Sequence, residues 1–184
     1  MIEISATIFG LLQGALVMMN KRCNWIAYVI QMILMVIFSY QNQLYGDTVN
    51  SSVYIAIGIA GWFMWGKDTG QKVTKANMTE TWIYLSVIII GTVLVHAWLV
   101  GTDDPLPKLD AFTTVSSFVA TILMVRHKID TWIIWFVNDI AYVVEYWLLP
   151  DQALYLLGLN VIWTGMAVGS FIVWYRAMNK PETT

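Results

Sequence analysis

Charge is scarce in this 184-residue chain: ten Lys and Arg with twelve Asp and Glu make up 12% of it, about half the fraction of an ordinary soluble domain. Hydrophobic residues supply 58% and the mean hydropathy is +0.63. One soluble core could not hide so much apolar surface, so the solvent is read as a bilayer. Cysteine is nearly absent. With Cys23 alone, an internal disulfide framework and a cysteine metal cluster are excluded. The net charge of −2 comes without a dense basic patch, which argues against nucleic acid as a partner. The opening MIEISATIFG lacks the Lys or Arg that begins a signal peptide, so the first apolar segment is expected to be retained. HExxH, GxSxG and the phosphate-cradling GxxxxGK[ST] are missing, and no nucleophile–base pair is visible. The chain is therefore not read as an enzyme, and no metal or cofactor is expected. No lysine lies inside an apolar segment, which leaves a retinal Schiff base no attachment point.

What the chain does have is seven apolar segments, several at the short end of the ~20 residues that span a hydrocarbon core. They cover residues 4–19, 24–41, 50–65, 81–100, 109–125, 129–149 and 152–175. A helix bonds its own backbone polar groups, as lipid requires. The expected fold is an all-α integral membrane protein with seven transmembrane helices. Lys21, Arg22, Lys67, Lys72, Lys75, Arg126, Lys128, Arg176 and Lys180 then fall on one side and Lys108 on the other, nine basic residues against one. Because basic loops stay cytoplasmic, the N-terminus is expected outside and the C-terminus in the cytoplasm.

The two ends of the chain echo each other. NKRCNWIAYVIQM follows the first segment and RHKIDTWIIWFVND follows the fifth. Aligning Trp25 with Trp132 sets Tyr28 on Trp135 and Gln31 on Asn138, and AGWFMWGK in the third segment resembles GSFIVWYR in the seventh. The reading is a parallel repeat: a first three-helix bundle (1–66), a cytoplasmic loop with a connector helix (67–108), and a second three-helix bundle with a short tail (109–184). Parallel repeats about an axis along the membrane normal are a transporter architecture, with the substrate site near midplane between the halves. Aromatic anchoring beside basic loops would also place such rings there.

WIIWFVNDIAYVVEYW carries the chemistry. At ~100° per residue Trp132, Trp135, Asp139, Tyr142 and Tyr146 share a narrow arc of one helix face. Asp139 lies near midplane, where a lone carboxylate costs ~2.5–3.5 kcal/mol even on the lenient insertion scale, so it must face protein or water. The rings suit a planar aromatic ligand, and a cationic one would add cation–π attraction with Asp139 as counter-charge. The alternative is a carboxylate bonded between helices with aromatic filler. Glu145, on the same side as Asn138, either lines an entrance or bonds a neighbouring helix. Gln13, Gln31, Ser51, Ser116, Ser117 and Asn160 are further buried polar positions, able to orient a ribose or amide or to join two helices. Trp65 is read as an interfacial anchor, and Trp62, one turn deeper, as able to face the pathway. His96 is not read as a ligand. Gly165 and Gly169 form a GxxxG match, for which close helix packing is the default.

WIIWFVND, NQLYGD followed by AGWFMWGK, and LDAFTTVSSFVATILMVRHKIDTW together resemble the PnuC family of bacterial vitamin transporters, over nearly the whole chain from about Gly10 to Arg176. The resemblance implies a three-plus-one-plus-three fold similar in plan to the SWEET sugar transporters. It implies uptake of nicotinamide riboside across the bacterial inner membrane by facilitated diffusion, trapping by cytoplasmic phosphorylation, and a homotrimer. Relatives carry thiamine, riboflavin or deoxynucleosides. The family's WxxWxxxN/D motif falls on Trp132, Trp135 and Asp139. Where members often hold Asn in the second span this chain has Gln31, Ser51 and Gly58 stand at positions often held by amides, and Glu145 adds an acid. The candidate substrate-binding set is Trp132, Trp135, Asp139, Gln31, Tyr28, Tyr142, Trp62, Asn160, Asn138 and Glu145. Thiamine, also an aromatic cation, is the alternative cargo, and proton coupling through Asp139 or Glu145 is the alternative mechanism.

Overall fold

The computed structural model describes residues 2–41, 45–65, 72–102, 104, 106–148 and 154–180. Among them are seven α-helices: α1 (Ile2–Met18), α2 (Asn24–Gln41), α3 (Tyr45–Met64), α4 (Met78–Leu99), α5 (Pro107–Val125), α6 (Thr131–Leu148) and α7 (Leu154–Met178). Each apolar segment has its helix, and the boundaries moved for local reasons. α4 starts at Met78 because Asn77 caps it: Asn77 Oδ1 accepts from the Glu80 N–H at 2.8 Å and Glu80 Oε2 accepts from the Asn77 N–H at 3.0 Å. That reciprocal box satisfies two donors the first turn would otherwise leave bare. α5 starts at Pro107, whose fixed φ and missing N–H suit a first turn. Among the described residues, 78–99, 107–125 and 157–178 are helices long and apolar enough to cross a membrane, and 8–18, 24–37 and 51–64 are shorter apolar stretches.

The chain divides into two compact units, Met1–Lys72 with Val125–His127, and Val73–Met124 with Lys128–Thr184. In the first, α2 packs on both α1 and α3. Its core is Trp25, fully buried and edge-on to Trp65 with ring centroids 5.5 Å apart. Trp65 is only 1% exposed and its indole N–H donates to the Val125 carbonyl at 3.1 Å. The expectation of an interfacial anchor is thus corrected: the ring found an aromatic partner and its N–H an acceptor, so burial leaves nothing unpaired. Gly61 lies beneath Trp25, where a Cβ would sit 2.5 Å from the ring. Arg22 closes one end of the unit. Its Nε donates to the Trp62 carbonyl at 2.8 Å and its guanidinium lies 3.9 Å over the Trp62 ring, a cation–π contact.

In the second unit α5 is the buried helix. Ala111, Thr113, Ser116, Ala120, Thr121 and Leu123 are wholly enclosed, and mostly small side chains let neighbours approach closely. α4 is the opposite, apolar on every side and exposed or half-buried except at Leu99, as befits a helix with lipid around it. α6 packs on α7, with Trp132 edge-on to Trp174 at 5.2 Å. The same T-shaped tryptophan pair therefore occurs in each unit. One helix stop also recurs along the chain, after α1 and after α5: Asn20 and His127 both take positive φ, 56° and 59°, and Lys21 N–H and Lys128 N–H reach back to Leu16 and Leu123 carbonyls at 2.9 Å. This left-handed turn satisfies carbonyls at a helix end, and Asn and His are among the residues that tolerate it. At Gly165 the packing expectation is corrected as well. A Cβ on Gly165 would meet no described atom within 4 Å, so this glycine faces open space, not a packed helix of its own unit.

A strap fixes the start of α6. Ile129 N–H donates to the Thr74 carbonyl at 2.9 Å, Ala76 N–H donates to Asp130 Oδ2 at 2.7 Å, and Lys128 Nζ pairs with Glu80 Oε2 at 3.0 Å.

Two stability outcomes are expected in detergent melts. Gly61→Ala should cost about 1–3 kcal/mol by overpacking, since Trp25 is enclosed, whereas Gly165→Ala should be neutral or gain up to about 1 kcal/mol of helix propensity. Asp130→Ala should cost about 1–3 kcal/mol by orphaning the buried Ala76 N–H, against less than about 1 kcal/mol for Lys128→Ala at the partly exposed ion pair.

Candidate functional site

The ten candidates fall into two sets. Tyr28, Gln31 and Trp62 belong to the first unit, and Trp132, Trp135, Asn138, Asp139, Tyr142, Glu145 and Asn160 to the second. In the first, Tyr28 lies between Trp25 and Tyr54, with ring centroids 5.7 and 6.1 Å away. Gln31 lies over Gly10 of α1, where a Cβ would come within 2.6 Å of its Nε2. Trp62 is covered on one face by Arg22.

The second set is organised by the two sides of α6. Ile133, Phe136, Val137, Ile140, Val144, Trp147 and Leu148 are exposed and apolar, an arc of about 120° that suits lipid. The opposite arc holds Thr131, Trp132, Trp135, Asn138, Asp139, Tyr142 and Glu145, buried or half-buried. Within that arc one edge is tied to α5. Thr131 Oγ1 donates to the Ala120 carbonyl at 2.7 Å, Asn138 Oδ1 lies 2.7 Å from Ser116 Oγ, and Glu145 Oε2 lies 3.3 Å from Thr113 Oγ1. The three α6 residues are spaced by seven, the period at which two helices sharing a shallow crossing meet again.

The other edge carries Trp132, Trp135, Asp139 and Tyr142. Asp139 is 2% exposed, and among the described residues none donates a hydrogen bond to its carboxylate. Trp132 is buried against Trp174, and its indole N–H meets no acceptor among the described residues. Trp135 and Tyr142 are half-buried. Asn160 is buried on α7, and its carbonyl accepts from Thr164 Oγ1 at 2.8 Å. Tyr146 lies in α6, but its side chain is outside the described residues.

Asp139 lines neither of two apolar grooves on the described residues of this unit. One of about 220 Å³ is lined by Trp132, Ile133, Phe136, Ala167, Val168 and Phe171, and one of about 630 Å³ runs along α4 past Trp82, Ile90 and Leu94. Both are apolar faces of the kind acyl chains cover. Among the described residues no His, Cys, Asp and Glu cluster could hold a metal.

Sequence reading missed Thr113, Thr131 and Trp174. The seven-residue spacing of Thr131, Asn138 and Glu145 was a usable signal for the first two. The match of Trp65 to Trp174, taken together with Trp25 to Trp132, was the signal for the third.

A profile of the family described as "Nicotinamide mononucleotide transporter" matches residues 1–176. The nicotinamide riboside transporter PnuC of Neisseria mucosa is 27% identical over 95% of this chain and 72% of its own length. That of Escherichia coli is 28% identical over 97% of this chain and 87% of its own. A crystal structure of the vitamin B3 transporter PnuC superposes with a TM-score of 0.74 at 24% identity, covering 95% of this chain and 80% of that one, which shows a shared fold. The chain is a multi-pass membrane protein of the nicotinamide mononucleotide transporter family.

Proposed function

We propose that the chain carries nicotinamide riboside across the bacterial inner membrane by facilitated diffusion and alternating access. One observation carries the reading: a buried Asp139 carboxylate to which none of the described residues donates, on the same arc of α6 as the half-buried side chains of Trp135 and Tyr142. A flat pyridinium supplies the missing positive charge and a face to stack. The names of the relatives from Neisseria mucosa and Escherichia coli support the same cargo.

The family description names the phosphorylated compound, and electrostatics favours the riboside. Among the described residues, every Lys and Arg lies in a loop, a tail or the terminal turn of a helix. A phosphate would meet Asp139 and Glu145 with no cation to balance it in a low-dielectric setting. Phosphorylation after entry would then trap the product on the cytoplasmic side.

The topology proposed with it is seven spans in a parallel three-plus-one-plus-three repeat, bundles 1–66 and 109–184 joined by the connector 67–108, with the N-terminus outside and the C-terminus in the cytoplasm. The recurring tryptophan pair and the matched stops at Asn20 and His127 support the repeat. A homotrimer is the proposed assembly, on the family resemblance alone.

Calorimetric titration of the purified protein with nicotinamide riboside, nicotinamide mononucleotide and thiamine tests the cargo. The riboside should bind tightest, and a preference for thiamine would move the assignment to that vitamin. Liposome uptake should be indifferent to an uncoupler and stop at equal concentrations; accumulation against the gradient would establish coupling instead. Asp139→Asn should weaken riboside binding at least about tenfold, or 1.4 kcal/mol, with the melting curve retained. Trp135→Ala should cost about 1–2 kcal/mol of affinity. Trp132→Ala should act on stability, by about 3 kcal/mol or more, because its ring is packed on Trp174.

A further inference from the structure

The contact between Ser116 and Asn138 fixes more than helix packing. Both side chains are 0% exposed. Ser116 Oγ lies 2.6 Å from the Phe112 carbonyl oxygen and 2.7 Å from Asn138 Oδ1. A hydroxyl has one proton, and a carbonyl oxygen can only accept. If the proton goes to Asn138, two oxygens face each other at the Phe112 contact. If it goes to Phe112, the clash moves to Asn138. Meanwhile Asn138 Nδ2, equally buried, has no partner among the described residues.

Turning the amide by half a turn removes both conflicts. Oxygen and nitrogen of an asparagine amide have the same shape, and their partners decide which is which. Ser116 then donates to Phe112, Asn138 Nδ2 donates to Ser116 Oγ, and Asn138 Oδ1 takes the unpartnered position. We infer that Ser116 is a positioning residue that turns the Asn138 amide so that its carbonyl oxygen awaits a hydrogen-bond donor on the transported nicotinamide riboside. The inference rests on the function proposed above for its ligand, and on the geometry alone for the amide's orientation.

The chemistry of the donor is bounded. Asn138 precedes Asp139, and neither has a donor in the protein's described residues once the amide is turned. Two adjacent buried side chains thus offer acceptor oxygens only. A carboxamide N–H or a ribose hydroxyl satisfies the carbonyl, whereas a carboxylate in the same place would be repelled. The site is therefore built to prefer an uncharged donor group on a cationic ring.

Binding of nicotinamide riboside, nicotinic acid riboside and 2′-deoxy- and 3′-deoxynicotinamide riboside to the full chain in detergent tests this. With Ser116→Ala, affinity for nicotinamide riboside should fall about tenfold, and one discrimination ratio should collapse toward one. Collapse of the amide-to-acid ratio identifies the carboxamide as donor, and collapse of a riboside-to-deoxyriboside ratio identifies the hydroxyl. Ser116→Thr, which keeps the hydroxyl, should restore the ratio. Unchanged ratios for every analogue, even with a lower melting temperature, would overturn the positioning role. Ligand-free melting of Asn138→Asp separates orientation from cargo. If the amide nitrogen faces Ser116, the aspartate sets oxygen against oxygen, so its melting penalty should be smaller in the Ser116→Ala background than beside Ser116. A larger penalty in that background would overturn the orientation whatever the cargo is. Failure of wild-type protein to bind any riboside, with the smaller penalty observed, would remove the cargo assignment and leave the orientation standing.

Discussion

The rotational setting of α6 decides what its acids can do, and the polar seam to α5 holds that setting. Thr131, Asn138 and Glu145 meet Ala120, Ser116 and Thr113 along one line. Rotating α6 by one residue, about 100°, would turn all three toward lipid or toward a mismatched neighbour. Each such contact between membrane helices contributes little alone, typically under ~1 kcal/mol. Their common period makes them act together, since no other rotation satisfies all three. With the seam against α5, the apolar arc from Ile133 to Leu148 meets lipid and Asp139 stays buried.

The seam depends in turn on the character of α5. Its enclosed positions are mostly alanine, serine and threonine, small enough for the backbones to approach and polar enough to bond across. The hydroxyls also turn back on their own helix, Ser116 to Phe112, Ser117 to Thr114 and Thr121 to Ser117, which keeps every one of those protons occupied within the membrane. α4 makes the contrast plain. It is longer and more apolar, yet Leu99 is its one buried residue and the rest are exposed or half-buried.

Much of this was legible in the sequence. The length of the apolar segments located all seven helices, and the NKRCNWIAYVIQM and RHKIDTWIIWFVND echo pointed to Trp25 and Trp132, which the structure places in like tryptophan pairs. Burial of Asp139 followed from the cost of a carboxylate in lipid. What escaped depends on partners distant in sequence. Trp65 looked like an anchor because its position near a basic loop is visible in sequence and its bond to the Val125 carbonyl is not. Gly165 looked like a packing glycine because GxxxG gives spacing without saying which side of the helix has a neighbour. Residues 72–77 read as plain loop because nothing local reveals that Thr74 and Ala76 bond to Ile129 and Asp130.

That loop matters to the site through the helix it holds. Asp130 directly precedes α6, where an aspartate ordinarily caps its own helix. Here one of its oxygens accepts from the Ala76 N–H instead, so the carboxylate joins the segment leading to α4 to the first turn of α6. Trp132 follows two residues later and is wedged against Trp174. The start of α6 is therefore fixed in position by the strap and in rotation by the tryptophan pair, and its far end by Glu145 against Thr113. Asp139 lies between these restraints. A helix held only at one end could relieve an unpaired carboxylate by turning it toward headgroups or water. Held at both ends and along the seam, α6 cannot make that turn, and the Asp139 side chain stays buried.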